Sequence, residues 1–194
     1  QVSKDASTIT GKWYSSVKAA CDYAATVATT SNRILVYVYP GEYTESPFTI
    51  PSFTYLHGSD DWGGVNIITN DNANHFITYA ANSGAQRFAI TGPTGAGMAC
   101  LRQNSGGTAK ACWINIRSGS YGLYASSGRV MTIGVVNDAG TAPDRLFCVD
   151  GTGMLALLTS HAMTGTWAGK FGVHCSGSGR IVMDACVFRT SGGT

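Results

Sequence analysis

Side chains able to do acid–base, nucleophilic or binding chemistry are sparse in this chain, and the densest group falls in two stretches. One is Asn137-Asp138-Ala139-Gly140-Thr141-Ala142-Pro143-Asp144-Arg145. The other runs from Ser160 through His161, Trp167 and Gly169 to Lys170. Together they offer Asp138, Asp144, Arg145, His161, Trp167 and Lys170: carboxylates and cations for sugar hydroxyls, and an indole for the apolar face of a sugar ring. Trp167 lies between Gly165 and Gly169, where few neighbours can bury so large a ring, so it is expected to be partly exposed. Loops carried on a rigid scaffold are where binding residues concentrate. The competing reading is plainer: polar loops, or a contact between subunits.

Elsewhere the chemistry thins out. Glu occurs only at 42 and 45, and Asp60-Asp61 is the one adjacent acidic pair. His75, His161 and His174 do not share a spacing suited to a metal, and His174, inside an apolar run, reads as a hydrogen-bonded core or corner residue. The six cysteines form no C-x-x-C pair. Most sit within apolar runs, as in Met98-Ala99-Cys100-Leu101, and read as buried free thiols, with disulfides as the alternative. The glycine-rich Thr91-Gly92-Pro93-Thr94-Gly95-Ala96-Gly97 lacks the Lys-Ser/Thr ending that would hold a nucleotide phosphate. No catalytic residue, metal ligand or cofactor is assigned from these patterns.

Composition narrows the class. The chain has 194 residues, enough for one domain with a substantial core. Only 12% of residues are charged, about half the usual share. A net charge of +2 with scattered Lys and Arg supplies no basic stripe for phosphates, so no nucleic acid is expected as partner. No apolar run nears the roughly 20 residues that span a bilayer, so no membrane insertion by a helix is expected. Gln1 and the terminal Gly192-Gly193-Thr194 read as cut or processed ends of a longer chain.

The elements that must position these loops can be read from periodicity. Val17, Ala20, Cys21, Ala24 and Val27 fall on one helical face, with Ser15 or Ser16 as the cap; this amphipathic helix suits the open end of a core. Ile34 to Val38, Phe48 to Ile50 and Phe53 to Leu56 read as three short strands, cornered by Pro40-Gly41 and Pro51. Beyond residue 76 a repeat emerges. Gly84, Gly106, Gly128, Gly153 and Gly179 recur in small polar turns at a period of roughly 22 to 26 residues. A short apolar run lies on either side of each turn. A helix-free repeat of this length selects a β-solenoid, in which each coil needs a small residue at the same tight corner. The expectation is that these five glycines stack. A sandwich or barrel is the alternative fold.

The segment from Trp13 to Gly58 closely resembles the start of the pectin-lyase-like superfamily of right-handed parallel β-helices. The matching elements are the helix from Ser16 to Ala28, the strand Ile34 to Val38, Pro40-Gly41-Glu42-Tyr43, Phe48 to Pro51 and Tyr55 to Gly58. The resemblance implies an all-β, right-handed parallel β-helix with one N-terminal capping α-helix. Residues 1–32 would form the capping segment and 33–194 the coils. Within that superfamily the chain looks most like viral or phage tailspike and fibre proteins. That likeness implies a structural and adhesive module at the virion surface or outside the cell, a homotrimer meeting host-surface polysaccharide and other virion proteins. The enzymes of the superfamily imply the alternative, a polysaccharide lyase, hydrolase or esterase. Their signatures are incomplete here: His57-Gly58 precedes Asp60-Asp61 by two residues, the reverse of the polygalacturonase order.

Overall fold

The computed structural model describes residues 1–2, 12–59, 64–137, 143–158, 161–163, 170–184 and 188–190; for 161–163 and 188–190 the description is of the backbone. One helix, α1 (Val17–Val27), precedes the strands. The first turn of chain supplies β1 (Ile34–Val38), β2 (Gly41–Glu45) and β3 (Phe48–Ile50). The second supplies β4 (Thr54–Gly58), β5 (Val65–Thr69) and β6 (Ile77–Tyr79). Then come β7 (Ser83–Thr91), β8 (Ala99–Gln103), β9 (Thr108–Ser118) and β10 (Tyr121–Ala125). They are followed by β11 (Arg129–Ile133), β12 (Val136–Asn137), β13 (Arg145–Val149), β14 (Met154–Leu158), β15 (His161–Met163), β16 (Phe171–Cys175), β17 (Arg180–Asp184) and β18 (Phe188–Thr190).

All pairings between these strands are parallel, and each strand pairs with the equivalent strand one turn away. The first face stacks β1-β4-β7-β9-β11-β14-β17. The second stacks β2 on β5, then the later halves of β7 and β9, then β12, β15 and β18. The third stacks β3-β6-β8-β10-β13-β16. The protein is a parallel β-solenoid of three-sided coils. Strand alternation fills its centre: Leu56, Ile67, Ile77, Phe88, Ile90, Leu101, Ile114, Leu123 and Phe147 are all fully buried.

The helix behaves as its periodicity predicts. Val17, Ala20, Cys21 and Ala24 are buried, and α1 packs on β1, β2 and β3, closing the end of the core. Ser16 is the N-cap, its side chain accepting from the Ala19 amide. A second cap comes from the sheet. Glu45 is buried, and its carboxylate accepts from the Val17 amide at 2.6 Å and the Ser16 hydroxyl at 2.8 Å. A negative charge placed there satisfies otherwise unpaired N–H groups at the helix start.

Two details of the sequence reading change. Gly41–Glu45, which follows the expected corner at Pro40-Gly41 and lies outside the expected strands, is the second strand of the first coil, with Tyr43 and Glu45 buried. The expected third strand opens the next coil instead, with Thr54 opposite Ile34. The corner glycines also shift. Gly128, Gly153 and Gly179 do stack, and register places Gly107, not Gly106, in the same column. The ladder continues through that corner: Arg129 donates to the Gly107 carbonyl, Met154 to that of Gly128 and Arg180 to that of Gly153, at 2.8–3.0 Å. Gly84 falls inside β7, opposite Lys110. Gly128 is required at its corner for two reasons: its φ is +70°, and a Cβ there would lie 2.0 Å from the Ser105 carbonyl oxygen.

A second column of special backbone separates the first two faces. Arg87, Trp113 and Gly134 occupy equivalent positions on successive coils, with φ of 60°, 54° and 60°. The left-handed region turns β7 and β9 through the corner without ending their ladders.

Candidate functional site

The crossings between the second and third faces carry the candidate site. The chain makes this passage in two residues at 46–47 and at Gly119-Ser120 but in seven at 70–76, 92–98, 138–144 and 164–170. Because β12 pairs with β15 and β13 with β16, the two stretches singled out in sequence leave from and return to adjacent strands. The second is shorter than expected, since His161 lies in β15, and Asn137 lies in β12 with its side chain donating to the Ile116 carbonyl at 2.6 Å.

Two of the six candidate residues come together. Lys170 Nζ lies 3.9 Å from the Asp144 carboxylate, and the Phe171 amide donates to the Asp144 carbonyl at 2.8 Å. The other Asp144 oxygen accepts from the Ser120 hydroxyl at 3.1 Å. Ser120 is therefore a strut in the short crossing: its oxygen also accepts from the Gly97 amide, and its carbonyl accepts from Arg145. Asp138 and Trp167 lie outside the described residues, as do Asp60 and Asp61; for His161 the backbone alone is described.

Arg145 leaves the crossing and lies across the outside of the third face. Its guanidinium carbon is 5.0 Å from the centroid of the Tyr121 ring, within cation–π range. Nη1 reaches His174 Nδ1 at 3.1 Å and Cys148 Sγ at 3.8 Å. A guanidinium can only donate, so His174 Nδ1 is the acceptor in this contact. No carboxylate pairs with Arg145 among the described residues.

Sequence reasoning missed the surface beside it. Register sets Arg102, Tyr124, Cys148 and His174 in one outward row on successive coils of the third face. Tyr124 stacks on His75 with centroids 5.8 Å apart, and Tyr121 meets Tyr124 edge-on at 6.0 Å. Phe171, 54% exposed, leans edge-on against His174. Nε of Arg102 is buried without a hydrogen-bond partner. His75 Nδ1 accepts the Ala99 amide at 3.0 Å; burial, aided by the Arg102 charge, holds its pKa below the usual histidine value. His174, expected in the core or at a corner, is on this outer row, hydrogen-bonded as expected. The signal was present: each member of the row stands one residue before the end of its strand.

Chemically this is a surface of ring faces and forked cationic donors. Burial holds the Cys148 thiol above its ordinary pKa although Arg145 donates to it, so it is not poised as a thiolate. No group of three His, Cys, Asp or Glu is disposed to hold a metal ion among the described residues. Cys21, Cys100, Cys112, Cys148 and Cys175 are free, the first two and Cys148 buried, Cys112 half-buried and Cys175 exposed; Cys186 lies outside the described residues. The fold thus defines a parallel β-solenoid with an aromatic and basic outer face. Comparison with family models, curated proteins and solved structures gave no match.

Proposed function

We propose that this chain is a structural and adhesive module of a viral or phage surface protein, of the tailspike or fibre kind. It would be a stiff rod whose third face and adjoining crossings contact host-surface polysaccharide. One observation carries the reading: the Arg145 guanidinium lies over the Tyr121 ring, beside Tyr124 and exposed Phe171, with no carboxylate partner among the described residues. Sugars present the complementary chemistry. Their C–H faces pack on rings, while hydroxyls and carboxylates accept from a fork of N–H donors. Asp144 and Lys170 at the rim would add an acceptor and a donor. The N-terminal likeness to pectin-lyase-like proteins supports the same reading, and homotrimer formation and contacts with other virion proteins belong to it.

The test is binding of the protein and of Arg145→Ala to an array of bacterial surface polysaccharides, alongside thermal unfolding. The variant is expected to lose binding at least about tenfold, the scale of one charged hydrogen-bond set, with the midpoint nearly unchanged. Equal binding by both proteins would remove the third face from the adhesive role. Release of reducing ends or unsaturated sugars from a bound polysaccharide would replace adhesion with the enzymatic alternative.

A further inference from the structure

A second binding feature lies on the first face, away from the third-face surface. Outward positions there form two rows across the coils. One row reads Tyr55, Gly84, Lys110, Met131, Ala156; the other reads His57, Gln86, Cys112, Ile133, Leu158. Across these rows lies a groove of about 340 Å³, bordered by Tyr55, Lys110, Cys112, Met131, Ile133 and Leu158. Its volume is at the lower end of the range for small-molecule pockets.

The side chains around it specify an occupant. The Tyr55 ring closes against Gly84: a Cβ there would fall 2.7 Å from Cε1, so only glycine admits the ring at that place. Met131, Ile133 and Leu158 give apolar walls. Gln86 has its amide engaged with His57 Nδ1, leaving Lys110 as the charged group at the groove. The Lys110 ammonium has no carboxylate or hydrogen-bond partner among the described residues. An apolar slot bordered by a ring and one unpaired cation is complementary to an aromatic body with one negative charge.

We propose that this groove binds a small planar aromatic monocarboxylate, its rings between Tyr55 and the Met131–Ile133–Leu158 wall and its carboxylate at Lys110. A polysaccharide chain fits it less well, because the walls offer methyl and thioether groups rather than hydrogen-bonding partners for hydroxyls. The site is independent of the third face, so either reading can fail alone.

Cys112 supplies the readout, because its half-buried thiol borders the groove. Alkylation by iodoacetamide at mildly alkaline pH, followed by peptide mass spectrometry, reports Cys112 separately from exposed Cys175. Millimolar 1-naphthoate is expected to slow Cys112 alkylation saturably and to leave Cys175 unchanged. The neutral 1-naphthamide should need about fivefold more for equal protection, the scale of one exposed charge contact. Lys110→Met keeps the apolar stem on an exposed position and should abolish that preference. Unprotected Cys112 at millimolar 1-naphthoate overturns the site. A preference for naphthoate that survives in Lys110→Met overturns the assigned role of the cation.

Discussion

His75 couples its protonation to the third face. Its Nδ1 accepts the Ala99 amide and its ring stacks on Tyr124, so the folded state favours the neutral form. Burial and Arg102 push the same way, lowering the pKa from 6.5. The sign follows from linkage. Above 6.5 neither state binds the proton and the contribution is complete; as pH falls below 6.5 the unfolded chain protonates first, and stability drops until the folded pKa is passed. Unfolding midpoints measured in urea from pH 8 to pH 5 should therefore decline below about 6.5. In His75→Asn, whose Oδ1 takes the place of Nδ1 and can still accept from Ala99, that part of the decline should vanish. An identical pH profile in both proteins would show that His75 does not feel its surroundings in this way. Glu45 makes the same point about residues of known type and hidden role: nothing in its sequence position tells that its carboxylate caps a helix 28 residues earlier.

Among the elements, the corner column gives the sharpest contrast. Gly153 and Gly106 sit in similar small polar turns, but a Cβ on Gly153 would lie 2.2 Å from the Ala125 carbonyl oxygen, whereas none lies within 4 Å of one on Gly106. Gly153→Ala should therefore destabilise the protein by about 1–3 kcal/mol, the range for forced backbone shifts, while Gly106→Ala should be neutral or gain up to about 1 kcal/mol. Chemical denaturation distinguishes them, and equal losses would place both residues at the corner. The helix and the third-face runs were legible because burial on one side imposes a period of 3.6 or 2 that local sequence displays. Gly41–Glu45 was not, because Pro40-Gly41 signals a turn and the strand that follows has a single large apolar residue, Tyr43. The register of the glycines was hidden for a similar reason: Asn82-Ser83-Gly84 and Asn104-Ser105-Gly106 look alike, but the chain enters the next strand at Ser83 in one and at Thr108 in the other. Of the site, the crossings were visible as departures from the repeat. The Arg102–Tyr124–Cys148–His174 row was not, since its members are more than twenty residues apart and only inter-coil register joins them.

At the scale of the molecule, each coil is held almost entirely by the coil on either side, so stability is distributed along one axis. β7 and β9 pair on both edges of the first and second faces, while among the described residues β17 pairs with β14 alone. Amide hydrogen exchange should consequently be slowest in β9 and fastest in β17, measured by mass spectrometry of peptic peptides. Exchange in α1 should be slower than in β17, because Glu45 ties the helix to the sheet; a helix exchanging faster would show that it does not close the core. The shared corner has a further consequence for how such a rod can grow. Residues 129–153 begin just after Gly128 and end on Gly153, two equivalent positions of the column. A tandem duplication of that segment would bring its own corner glycine and its own Gly134, over which Trp113 already lies. The copy would slot in between existing rungs, lengthening the molecule by about 4.8 Å without disturbing the pairing above or below. It would also duplicate Arg145, so that length and the number of guanidinium groups on the third face increase together.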